Sequence, residues 1–254
     1  MKIRFQKYQG TGNDFIVVDN RNGHFPSDNE LLVRNLCDRK FGIGSDGLIL
    51  LEKDDAAEFY MNFYNPDFSQ SFCGNGSRCI IQFAVDNGII EKGARFNAIN
   101  GMHEGYSEGE MVYVKMNDVI EIKKQGEYLI LDTGSPHLIE KVENADDIDL
   151  IERARQIRYS EPFKEKGINV NFVETIPTGI KMRTYERGVE GETLSCGTGV
   201  TAAALAHANG NEGEIYVETK GGKLLVKYVR DGNVFKDIWL CGPAKKVYEG
   251  ELDA

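Results

Sequence analysis

No run of apolar residues in this chain approaches the roughly 18 needed to cross a bilayer as a helix. The opening Met1-Lys2-Ile3-Arg4-Phe5 leads into no apolar signal region. Cysteine is sparse, with five residues at positions 37, 73, 79, 196 and 241. That odd, thin spread argues against a secreted disulfide framework, and no Cys-x-x-Cys suggests a redox centre. The expectation is a cytoplasmic protein with reduced thiols. Positive charge is in deficit, 30 Lys and Arg against 40 Asp and Glu, for a formal net charge of −10. Such a balance speaks against a nucleic-acid or anionic-membrane surface, but leaves room for a small anionic ligand at a local site. There is also no Pro- or Ser-rich linker and no low-complexity tract.

What is present suffices for a full apolar core: 254 residues, 41% hydrophobic and 28% charged. Ile3 to Phe5 and Phe15 to Asp19 read as strands flanking a tight turn at Gln9 to Asp14. Ser27 is placed to cap a helix over Asp28 to Lys40, with Leu31, Leu32, Leu36 and Cys37 on its buried side. Gly42-Ile43-Gly44-Ser45-Asp46-Gly47 fits the letters of a dinucleotide fingerprint. A helix precedes it and a strand follows it, the reverse of the order that fingerprint requires. Leu48 to Leu51, Glu58 to Tyr64, Phe96 to Gly101 and Glu110 to Met116 read as further strands.

The chain turns on Ser71-Phe72-Cys73-Gly74-Asn75-Gly76-Ser77-Arg78-Cys79, a thiol directly before Gly-x-Gly and a helical apolar segment. A cysteine at a helix start meets unpaired N–H groups and the positive end of the dipole, which favour thiolate and bind carboxylate. Ser195-Cys196-Gly197-Thr198-Gly199 repeats the pattern, 196 − 73 = 123 positions later. Thr133 to His137, the helix around Ile148 to Ile157, Gly167 to Asn169, Lys181 to Glu186 and Ile215 to Tyr228 answer first-half features at offsets of about 120–125. The chain is therefore expected to be a duplication, residues 1–117 carrying Cys73 and 118–254 carrying Cys196, with the last strand able to return to the first half. Two similar halves would bring two helix-capping thiols to one cleft. One thiolate then removes an α-proton from one face of a stereocentre, and the other thiol returns one to the opposite face. Helix N-termini on the α-carboxylate would stabilise the carbanion without pyridoxal phosphate.

Gly10-Thr11-Gly12-Asn13-Asp14-Phe15, Cys73 to Cys79, Ser135-Pro136-His137, Asn169-Val170-Asn171-Phe172-Val173, and Glu186-Arg187-Gly188 with Cys196 to Gly199 together resemble the diaminopimelate epimerase family, nearly from end to end. The resemblance implies an α/β (α+β) fold of two pseudo-symmetric halves. Each would be a curved, mostly antiparallel sheet around a central helix, with the active site in the cleft between them. It implies a cofactor-independent isomerase acting on the LL and meso forms of 2,6-diaminopimelate, in lysine and peptidoglycan-precursor biosynthesis. It also implies a homodimer with a small-molecule substrate and no metal. Carried over by motif, Cys73 and Cys196 are the acid–base pair, and His137 and Glu186 tune the thiols. Asn13, Asn65, Gly74, Asn75, Asn169, Glu186, Arg187, Gly197 and Thr198 bind substrate. Ser135 and Gly47 depart from the family pattern, standing where many members have asparagine and some have glutamine.

A proline racemase-like enzyme of the same fold is the nearest rival, but such chains show Cys-Gly-His-Gly at the first site. Asn75 and the Glu186-Arg187 pair favour the diamino acid. From other classes, a dithiol redox protein lacks its motif, and a zinc module built on Cys73, Cys79 and His103 lacks regular ligand spacing.

Overall fold

The computed structural model describes residues 2–253. These fall into two compact units, one of residues 2–114 with 242–253 and the other of Lys115–Cys241.

In the first unit, β1 (Lys2–Gly10), β2 (Asn13–Asp19), α1 (Glu30–Cys37), β3 (Gly47–Glu52), β4 (Phe59–Tyr64), α2 (Gly74–Asp86), β5 (Gly93–Ala98), β6 (Gly101–Glu108) and β7 (Met111–Lys115) follow in order. The ladders β1–β2, β3–β4, β5–β6 and β6–β7 are antiparallel, whereas β2–β3 and β4–β5 are parallel across a helical crossover. Because strand side chains alternate, Phe15, Val17, Ile49 and Leu51 pack on α2, while Ile16, Val18, Leu48 and Leu50 pack on α1. The near-continuous apolar runs of β2 and β3 follow from that double burial.

The second unit repeats this plan. β8 (Lys123–Gln125), β9 (Tyr128–Asp132), β10 (Pro136–Val142), α3 (Leu150–Arg158), β11 (Asn169–Ile176), β12 (Gly179–Glu186), β13 (Gly191–Thr193), α4 (Gly197–Ala206), β14 (Glu212–Thr219), β15 (Gly222–Asp231) and β16 (Val234–Gly242) follow in order. β9–β10, β11–β12, β14–β15 and β15–β16 are antiparallel, and β10–β11 and β12–β14 are parallel. Taken strand by strand, these senses match those of the first unit. A last strand, β17 (Lys245–Asp253), pairs antiparallel with β1 and belongs to the first unit. β8 holds the corresponding edge beside β9.

Helix α4 is apolar on every side, with Val200, Ala202, Ala203, Ala204 and Leu205 all buried among sheet residues, so it is a core helix and not a surface one. Helix α1 corrects the sequence reading. It starts at Glu30 under an Asn29 cap, whose Oδ1 accepts from the Leu32 N–H at 3.0 Å. Its buried face is Val33, Leu36 and Cys37, at i, i+3 and i+4, while Leu31 lies 67% exposed. Leu31 sits five residues before Leu36, about 140° away around the helix. Strand β6 had no sequence expectation because Gly101–Glu108 is polar and alternates only weakly.

Candidate functional site

Each unit begins its central helix with a cysteine in extended conformation at the N-cap, Cys73 (φ −126°) and Cys196 (φ −109°). In both, the cysteine carbonyl accepts the first helical N–H, from Ser77 and Val200 respectively, at 2.8 Å. The remaining first-turn N–H groups have no intrahelical acceptor, which is what makes a helix start an anion site.

Around Cys73 the partners come from β2. Asn13 donates its amide N–H to Asp46 Oδ2 at 2.6 Å, which turns its Oδ1 toward the helix. That oxygen accepts from Asn75 Nδ2 at 3.2 Å and faces the Cys73 thiol at 3.9 Å. The Cys73 sulfur in turn accepts from the Gly76 N–H at 3.4 Å. Asp46 and Asp14 are held by Arg39, and Asp14 also by the buried Lys7. These cations hold the Asp14 carboxyl down at about 2, against the opposing effect of burial. Arg78, fully buried on the first turn of α2, donates to Asn75 Oδ1 and Thr11 Oγ1, each at 3.0 Å. Asn65 stands apart from this group. Its amide donates to the Ser69 carbonyl and to the Ser69 and Ser71 hydroxyls, bracing the loop that leads into Cys73.

Around Cys196 strand register does the positioning. On β12, Ile180 and Met182 pack with α4, so alternation puts Thr184 and Glu186 on the same face. On β11, Asn169 and Asn171 share a face with Val173, and on β10 His137 shares one with Ile139. These polar side chains therefore reach the start of α4. His137 Nε2 lies 2.9 Å from Thr198 Oγ1, which lies 3.4 Å from the Cys196 sulfur. Burial raises the Glu186 carboxyl above its usual range, partly offset by the neighbouring Thr193 and Cys196 side chains. Burial and the Arg187 charge push the imidazole of His137 down to about 3, so it is neutral near neutral pH. The folded protein thus binds fewer protons here than the unfolded chain between about pH 3 and about 6.5, and acid weakens the fold through this residue. Gly199 permits the approach, since a Cβ there would lie 2.8 Å from Asn171 Oδ1 and 3.2 Å from the His137 ring. Asn169 and Arg187 form a neighbouring group. Asn169 donates to Ser135 Oγ at 2.8 Å and accepts from the Arg187 N–H at 2.9 Å, and the Arg187 guanidinium donates to the Lys166 carbonyl.

The two unusual positions have structural settings. Ser135 accepts from the Asn169 amide at its hydroxyl oxygen. At Gly47 a Cβ would fall 2.3 Å from the Phe63 ring, which fills the space a longer side chain would need. The sequence reading missed Arg78, Asp46, Asn171 and Thr184. For Asn171 a signal was there, because Asn169-Val170-Asn171 on a strand places both amides on one face.

Thiol exposure differs sharply. Cys73 is half-buried, Cys196 is 7% exposed, and Cys37, Cys79 and Cys241 lie at 3%, 0% and 0%. Burial also pushes the Cys37 and Cys79 thiols up. Alkylation of the native protein with iodoacetamide should therefore mark Cys73 first and Cys196 second, sparing the other three until unfolding. Timed peptide mapping checks the order, and early labelling of Cys79 would contradict it.

A sequence model of one family, described as Diaminopimelate epimerase, matches residues 5–120 and 129–247. A protein of Flavobacterium psychrophilum named diaminopimelate epimerase is 46% identical over 253 residues, covering 97% of this chain and 99% of its own. One of the same name from Aquifex aeolicus is 38% identical, with 98% of each chain covered. Among solved structures, a phenazine biosynthesis protein of the PhzF family from Bacillus anthracis superposes with a TM-score of 0.76 at 13% identity, over 100% of both chains. A hydroxyproline epimerase from Agrobacterium vitis gives a TM-score of 0.68 at 15% identity, over 99% of this chain and 92% of that one. These last two likenesses concern the fold alone.

Proposed function

This chain belongs to the diaminopimelate epimerase family, and on that premise we propose that it interconverts LL- and meso-2,6-diaminopimelate by thiol-based proton transfer at one α-carbon. The observation that carries the reading is the cysteine at the N-cap of the central helix in each unit, at the same point of the same strand plan.

One cysteine, as thiolate, takes the α-proton. The C–H electron pair moves into the carboxylate system, and the other cysteine, as thiol, gives its proton to the opposite face. The substrate leaves inverted and the two sulfurs have exchanged protonation states, so the reverse reaction uses the same groups in opposite roles. N–H groups of Gly74, Asn75, Gly197 and Thr198 at the helix starts stabilise the developing negative charge. Asn13, Asn65, Asn169, Glu186 and Arg187 bind the ammonium and carboxylate groups of the substrate, with Arg187 suited to a bidentate carboxylate pair. His137 and Glu186 set the thiol chemistry and transfer no proton to carbon. No pyridoxal phosphate and no metal enters this scheme. We further place the enzyme in the cytoplasm as a homodimer without nucleic-acid or membrane partners. No helix among the described residues is long and apolar enough to cross a membrane.

Incubation of the cofactor-free protein with LL-diaminopimelate in D2O tests the reading. Deuterium should enter at one α-carbon as the meso isomer forms. Meso product without deuterium, or no reaction beside exchange of free proline, would overturn it.

A further inference from the structure

The side chains behind Cys196 form a hydrogen-bonded row whose links from Leu138 to Thr198 each admit one assignment. Asn171, fully buried on β11, lies with Nδ2 3.0 Å from the Leu138 carbonyl, which can only accept. That fixes the amide, and Asn171 Oδ1 accepts from Thr184 Oγ1 at 2.9 Å. The same Nδ2 group lies 3.2 Å from His137 Nδ1, so that ring nitrogen accepts. A neutral imidazole with its lone pair at Nδ1 carries its proton on Nε2. Nε2–H then donates to Thr198 Oγ1, and the Thr198 hydroxyl keeps its own proton for the Cys196 sulfur.

We propose that Asn171 is a positioning residue that sets the His137 tautomer, so that the Thr198 hydroxyl donates to Cys196 and steadies its thiolate. The proposal rests on the reading of Cys196 as a proton-transfer group. The burial that keeps His137 neutral serves the same end, because a protonated ring would need an acceptor at Nδ1 and Asn171 presents a donor there. The charged groups facing this corner are Glu186 of β12, beside Cys196, and Arg187 next to it, whose charge reaches His137. The device belongs to one thiol only. On the sheet face that packs on α2, strand pairing places Asn13 and Gly47 where the second unit has His137 and Asn171, and Asn75 stands where it has Thr198, so the Asn–His pair is not repeated behind Cys73.

The decisive variant is Asn171→Asp, nearly isosteric, whose carboxylate would accept from the ring. It should draw the imidazole proton to Nδ1, leaving Nε2 to accept from Thr198 and turning that hydroxyl away from sulfur. Histidine 15N NMR on the resting enzyme, assigned with His137→Asn, should show the Nε2–H tautomer in the wild type, unchanged from about pH 5 to about pH 8. The variant should show Nδ1–H. Its kcat should fall about 10–100-fold with little change in KM, and the acid limb of its kcat/KM profile should move to higher pH. If Asn171→Asp does not fold, Thr198→Val should give the same kinetic change and Thr198→Ser should restore it. An Nδ1–H tautomer in the wild type overturns the proposal, and so does a wild-type kcat and pH profile in Asn171→Asp or Thr198→Val. The NMR result stands apart from turnover, so failure of the proton-transfer reading would show separately, as activity surviving in Cys196→Ala.

Discussion

Replacing either Cys73 or Cys196 with alanine should lower epimerisation of diaminopimelate by a factor of about 10²–10⁴ or more. In the proposed two-base scheme each thiol serves one face of the stereocentre, so removing either one should stop inversion in both directions, whichever isomer is supplied. Alanine keeps the extended N-cap backbone of both helices and removes only the sulfur, so the change falls on chemistry more than on folding. Cys37→Ala is the matched control. That thiol lies on the buried face of α1, in a cluster with Val33 and Leu36 that does not include α2. Its loss should cost some packing and leave turnover largely intact. Chiral analysis of product from LL-diaminopimelate, with circular dichroism to show that each variant is folded, makes the comparison. Near-normal turnover by either the Cys73 or the Cys196 variant contradicts the two-base reading.

The duplication was legible because a repeat at a nearly constant offset survives when only a few positions per element keep their type. Cysteine before Gly-x-Gly needs four residues to declare itself, and the ladders joining β1 to β7 run in the same senses as those joining β9–β12 and β14–β16. What the sequence hid was mostly buried polarity. Arg78 stands directly before a segment that reads as an apolar helix, and nothing local says that its guanidinium reaches back to the β1–β2 turn. Asp46 sits in a glycine-rich loop whose letters suggest a nucleotide site, yet its task is to orient Asn13 across 33 residues of chain. The α1 error had a different cause. Leu31 reads as buried only because it is apolar, yet its five-residue spacing from Leu36 turns it about 140° from the Val33, Leu36 and Cys37 face. A helix of eight residues offers few apolar positions, so one exposed leucine is enough to mislead a reading by residue type alone.

Removing the buried cation at Arg78 should be the most damaging single change to stability at the first site. The guanidinium donates to Thr11 Oγ1 and Asn75 Oδ1, and Arg78→Met leaves both acceptors without that donor at a cost of about 1–3 kcal/mol each. At about 2–4 °C per kcal/mol for a chain of this size, the fall in Tm should be on the order of 10 °C. Activity should drop with it, because Asn75 loses the contact that fixes its amide beside Asn13. Thr11 makes the cause testable. This β-branched residue holds φ +51° in the two-residue turn between β1 and β2, a strained position of about 1–3 kcal/mol for a non-glycine side chain. With Arg78 in place, Thr11→Gly relieves strain but forfeits the hydrogen bond, so the two changes nearly offset. In the Arg78→Met background no bond is left to lose, and the same substitution should raise Tm. A double-mutant cycle by thermal unfolding should therefore show a coupling of about 0.5–3 kcal/mol between positions 11 and 78. Additivity within about 0.3–0.5 kcal/mol would mean that Arg78 does not hold the turn.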